Sequence, residues 1–70
     1  MVTENDKRLG KRIQKLRKQV GLKQEELAEK IRVSTKYIQF IETAHRTPSL
    51  KVLYRIAKTL NVKVNDLFPF

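Results

Sequence analysis

The sequence has no cysteine and no tryptophan, and His45 is its single histidine. Without cysteine there are no disulfide staples, on which secreted domains of this size normally depend, so the chain is expected to work in a reducing, cytoplasmic setting. One histidine and no thiol leave neither a nucleophile–base pair nor a zinc ligand set. No catalytic residue, metal or cofactor is therefore expected. Glu25, Glu26 and Glu29 crowd one short stretch but have no other ligand type beside them; they read as solvated helix acids, with Glu26 placed to pair with Lys30 one turn on. Glycine is scarce too, and with only Gly10 and Gly21 there is no glycine-rich loop to cradle a nucleotide. No segment approaches the ~20 apolar residues that span a bilayer. The opening MVTENDKRLG contains no apolar run like that of a signal peptide, so no membrane association is expected.

Acidic side chains are the other shortage: 7 Asp and Glu against 16 Lys and Arg give a formal charge of +9 over 70 residues. A chain of this length makes one domain, taken as residues 1–70, and buries only roughly 60% of its unfolded surface. A walled-off active site is hard to build on that scale; a binding surface is easier. The charge directs such a surface toward a polyanion: nucleic acid, an anionic membrane face or an acidic partner.

What the chain does have is helical periodicity. Leu9, Ile13, Leu16 and Val20 form one amphipathic stripe, and Gly21 suits the left-handed residue that ends it. Leu27, Ala28 and Ile31 mark a second helix within QEELAEKI. Ser34 is the natural cap of a third, which carries Ile38 and Ile41 inward and stops near Ala44, before the polar HRTPS. Thr47 is expected to cap a fourth, with Pro48 at its first position, a stripe of Leu50, Leu53, Ile56, Ala57 and Leu60, and Asn61 as terminator. A last short helix is expected around residues 64–68. The alternation at Val62 and Val64 has no second strand to pair with and is discounted. The expected fold is all-α: a compact bundle of five short helices, without repeat or linker.

Residues 24–43 read as a helix, a short turn and a second helix with a polar outer face, the helix-turn-helix arrangement. The words LRKQVGLKQEELA, VSTKYIQFIE and RTPSLKVLYRIAKTLNV, in that order and spacing, resemble nearly end to end the Xre family of phage-repressor-like and Cro-like DNA-binding domains. The resemblance implies a lambda-repressor-like domain that binds double-stranded DNA as a homodimer. The expected function is sequence-specific transcription regulation, as a repressor or a phage or mobile-element control protein on a palindromic operator. Two alternatives are an antitoxin-like regulator that also binds a protein partner, and an interaction adaptor that has lost DNA binding. Four positions depart from the pattern. Lys23 and Lys63 stand where a Ser or Thr cap is common, at ~1 kcal/mol each. Arg32 and Ala44 stand where glycine is common, so those turns either carry left-handed strain or take another geometry.

With the core direction set by Ile38 and Ile41 and roughly 100° per residue, Thr35, Lys36, Gln39 and Phe40 point away from the core and are the base-reading candidates. Phe40 has no hydrogen-bonding group; its ring suits the C5-methyl of thymine, the alternative being packing on Tyr37 or the loop at His45. For phosphates, the resemblance implies Gln24 at the N-terminus of the second helix, and Arg46 in the loop after the third. Ser34 at the cap, Tyr37 through its hydroxyl, and Lys11 on the first helix complete the set. Arg17 and Glu42 border the core on their helices, and the resemblance implies a partly buried ion pair between them. In the closing VNDLFPF, Leu67, Phe68 and Phe70 exceed what one turn can bury, which predicts a dimer interface there; the alternative has Phe68 folding back onto the first helix.

Overall fold

A computed structural model describes residues 3–70. They form α1 (Glu4–Gln19), α2 (Gln24–Ile31), α3 (Thr35–Glu42) and α4 (Leu50–Thr59), followed by a 3-10 turn (Val64–Leu67). No strand occurs among the described residues. The apolar stripes converge on one core, in which Ile13, Leu27, Ile38, Ile41, Ile56, Leu60 and Leu67 are essentially sealed from solvent.

The expected fifth helix is thus a single 3-10 turn, because Pro69 has no N–H to extend it and forces Phe68 into an extended conformation (φ −95°, ψ 115°). Arg12 on α1 fixes this turn by donating from Nε to the Asp66 carbonyl at 2.9 Å. Two residues assigned to the stripes lie outside the core: Val20 is 49% exposed, beyond the last residue of α1, and Leu50 is 58% exposed as the first residue of α4.

The helix starts explain themselves locally. Thr3 and Asp6 exchange hydrogen bonds in a capping box, backbone to side chain in both directions. The Asp6 carboxylate also accepts from the Thr47 hydroxyl at 2.9 Å. The Thr3 N–H foremost, and then that hydroxyl, hold the carboxyl below its ordinary range. Thr47 is therefore not the cap of α4. That role falls to Ser49, whose hydroxyl accepts from the Val52 N–H at 3.2 Å, with buried Pro48 lying ahead of the helix. At α2 and the 3-10 turn, where lysine replaces the usual cap, half of the box survives: Glu26 accepts from the Lys23 N–H at 2.8 Å and Asp66 from the Lys63 N–H at 3.1 Å.

The helix ends share one device. Gly21, Arg32, Ala44 and Asn61 all have φ between 58° and 77°, and the N–H after each reaches a carbonyl five residues back. This is the wide hydrogen bond of a Schellman ending. Arg32 and Ala44 accept the left-handed strain rather than avoid it, because the returning bond closes the last turn of their helices. Between elements, Gly10 of α1 lies against the backbone carbonyls of Ile41 and Glu42, an approach that no Cβ would permit. No helix among the described residues is long and apolar enough to cross a membrane.

Candidate nucleic-acid interface

The unit α2–turn–α3 stands on a buried polar cluster. Arg17 donates to both oxygens of Glu42, from Nε at 2.6 Å and Nη2 at 3.0 Å, and from Nη1 to the Leu22 carbonyl at 2.7 Å. Both side chains are almost wholly buried, and no buried side-chain polar atom among the described residues lacks a partner. Such a pair specifies geometry more than it stabilises, since each charge gives up its hydration to form it. Gln24 joins through Nε2, 2.9 Å from Glu Oε1 of the same carboxylate. Glu42 can only accept, so the amide nitrogen of Gln24 faces it, and its second N–H stays available to a ligand. One carboxylate at the end of α3 thereby ties together α1, the loop after it and the start of α2.

On α3 the two faces separate cleanly. Ile38, Ile41 and Glu42 are buried; Lys36 and Gln39 are exposed; Thr35 and Phe40 are half-buried. Of the four base-reading candidates, then, two project fully and two only in part. The hydroxyl of Ser34 accepts from the Tyr37 N–H at 3.0 Å, which caps α3 and keeps its N-terminus ordered. Tyr37 is half-buried against the core.

Beyond α3, the left-handed Ala44 turns the chain so that His45 and Arg46 both donate their N–H to the Phe40 carbonyl. Arg46 is exposed on the same side as Lys36, and both border the recess beside Phe40. The Phe40 ring lies 6.0 Å from the His45 ring and 5.9 Å from the Lys36 ammonium. The Thr43 hydroxyl lies 2.7 Å from the Gln39 carbonyl and 2.8 Å from His45 Nδ1, so the imidazole is tied to the C-terminal end of α3.

Lys11 is exposed on α1 and, with Lys7, borders a shallow recess against Thr43 and Ala44 at the end of α3. The sequence places Lys11 on the first helix; its nearness to α3 follows from the close approach of Gly10 to that helix. A second cationic cleft, lined by Lys30, Arg32, Arg55 and Lys58, had no signal in the sequence because its residues come from two helices. There Arg55 reaches the Ile31 carbonyl, so part of this charge serves the C-terminal end of α2.

Leu67 is fully buried in the chain's own core and is not available to a dimer interface. Phe68 is half-buried on the core, and Phe70, 57% exposed, meets it edge-on at 5.8 Å. One 3-10 turn buries more than expected because it packs against both α1 and α4, which seals Leu67 and leaves Phe68 half-buried.

The model of a helix-turn-helix family matches residues 13–67. The chain belongs to this helix-turn-helix family. An uncharacterized HTH-type transcriptional regulator of Archaeoglobus fulgidus is 42% identical over 59 residues, 84% of each chain. Among solved structures, the restriction-modification controller protein C.AhdI of Aeromonas hydrophila superposes with a TM-score of 0.91 at 29% identity, over 94% of this chain and all of that one. The biofilm master regulator SinR of Bacillus subtilis, solved in complex with DNA, has a TM-score of 0.80 at 37% identity, over 84% of this chain and 95% of SinR's. This is a family of transcription regulators and not of enzymes. In this helix-turn-helix chain α2 and α3 are joined by residues 32–34.

Proposed function

We propose that this helix-turn-helix chain is a sequence-specific regulator that binds double-stranded DNA as a homodimer on a two-fold symmetric operator and represses transcription from it. The observation that carries this reading is the division of α3: its anchoring side chains are buried, while a cationic and polar set is left outside a rigidly held helix. In this reading Thr35, Lys36, Gln39 and Phe40 meet base edges in the major groove. Gln24, with its spare N–H at the start of α2, Ser34, Tyr37, Arg46 and Lys11 meet phosphates on either side. The solved complex of the similar SinR with DNA supports the assignment. Homodimerisation is supported by the aromatic edge at Phe68 and Phe70, the apolar surface left uncovered at the end of the chain. Two recognition helices related by a two-fold axis would address half-sites one DNA turn, about 34 Å, apart.

Salt titration tests the reading. A dimer that neutralises six to ten phosphates loses affinity with a log–log slope of about −5 to −9. A slope near zero, with binding equal on any polyanion, would reduce the basic charge to a solubility device.

A further inference from the structure

Beside α3 lies an open recess of about 450 Å³ lined mainly by the apolar surfaces of Val33, Tyr37, Phe40 and Val52, with Ser34, Lys36 and Arg46 as its polar members. Such a surface suits a ligand that is apolar where it enters and anionic where it flanks. The Phe40 ring is held from two sides, by the His45 ring and the Lys36 ammonium, yet remains half-exposed. It is therefore fixed in place, not folded away into the core. A hydrogen-bonding base edge pressed against the Phe40 ring and the Val33 and Val52 side chains would lose its water and gain no partner from them. The major groove of a duplex offers one apolar projection, the methyl group on C5 of a pyrimidine, with phosphates to either side.

Resting on the DNA-binding reading above, we propose that Phe40 and the recess beside it form a subsite for a pyrimidine C5-methyl group. Each half-site then demands thymine at one position. The same position distinguishes 5-methylcytosine from cytosine, because the methyl group is common to thymine and 5-methylcytosine, and the affinity of this regulator responds to cytosine-5 methylation of its DNA. Arg46 holds a flanking phosphate while the methyl group enters.

The test uses the full chain and a site enriched from a random duplex pool. Thymines of that site are replaced one at a time by uracil, which lacks only the methyl group, and binding is followed by fluorescence anisotropy. One thymine per half-site is expected to lose about fourfold in affinity, the worth of one buried methyl. Cytosine and 5-methylcytosine placed there should differ by the same factor. In Phe40→Ala both differences should fall to near one. Phe40→Gln, which keeps a side chain of similar reach, should bind and show no methyl preference, so a folding defect in the alanine variant does not obscure the result. An equal uracil penalty in parent and variants, or an enriched site indifferent to uracil throughout, overturns the subsite alone. A pool that enriches no sequence overturns the DNA-binding reading and the subsite together.

Discussion

Two glycines show how differently the same residue is used. Gly10 sits inside α1, where glycine ordinarily weakens a helix, and a Cβ there would collide with the backbone of α3 at Ile41 and Glu42. Backbone cannot yield as a flexible side chain can. Gly10→Ala is expected to cost about 3 kcal/mol, the upper end of what overpacking does to a core. Gly21 has φ +77° and open space around it, so Gly21→Ala should cost only the left-handed penalty, about 1–2 kcal/mol. Urea denaturation of both variants checks the order; a milder Gly10→Ala would mean that α1 and α3 can slide apart freely. The sequence marked Gly21 because a turn chemistry announces itself locally. Nothing local marks Gly10, whose neighbour lies on another helix. Arg17 and Glu42 were legible for an intermediate reason: each borders an apolar stripe on its own helix, but their pairing rested on family resemblance until the distances were known.

At the level of elements, the four α-helices follow their stripes, and the misplacements fall at the ends, where several capping groups compete. Thr47 and Ser49 are both good caps two residues apart. What decides between them is Asp6, which takes the Thr47 hydroxyl from across the fold, and no local pattern contains that. The same contact gives a pH dependence. The folded Asp6 carboxyl titrates below its unfolded value, so its stabilising effect is complete above the unfolded value, near 4, and is lost as pH falls through the folded one. NMR titration should show the Thr3 and Asp6 amide signals moving together below about pH 4, as the start of α1 frays, and Asp6→Asn should abolish the coupled movement. Signals that stay fixed to pH 2 would mean that the box holds without its charge. Likewise the last element becomes 3-10 because Pro69 stops it, and its compactness sends Leu67 inward, an outcome that the apolar count of VNDLFPF did not distinguish from exposure.

Across the whole molecule, the all-helical class and the polarity of the outer face of α3 were readable from periodicity and residue type, whereas the recess beside Phe40 was not, because Val52 reaches it from α4. Burial of Leu67 also changes how self-association should be probed. Cutting the chain before Leu67 would remove a core residue and unfold the domain along with any dimer. Phe70→Ser removes the exposed ring alone. It is expected to weaken self-association roughly tenfold, the effect of one well-packed aromatic anchor worth about 1.4 kcal/mol, while leaving thermal unfolding of the monomer nearly unchanged. Sedimentation equilibrium measures the first and calorimetry the second. Unaltered association would move the interface elsewhere, with the exposed Leu50 and Tyr54 on α4 as the next apolar surface.

The side chains that anchor α3 and those it presents are different residues, and where that helix lies against α1 a glycine faces two carbonyl groups. Exchanging the exposed Lys36 or Gln39 therefore leaves the mounting untouched. On the proposed DNA-binding reading, a lineage of such chains can change its vocabulary of recognised sites at Lys36 and Gln39 without passing through an unstable ancestor, and an engineer can rewrite those two positions while the helix keeps its pitch.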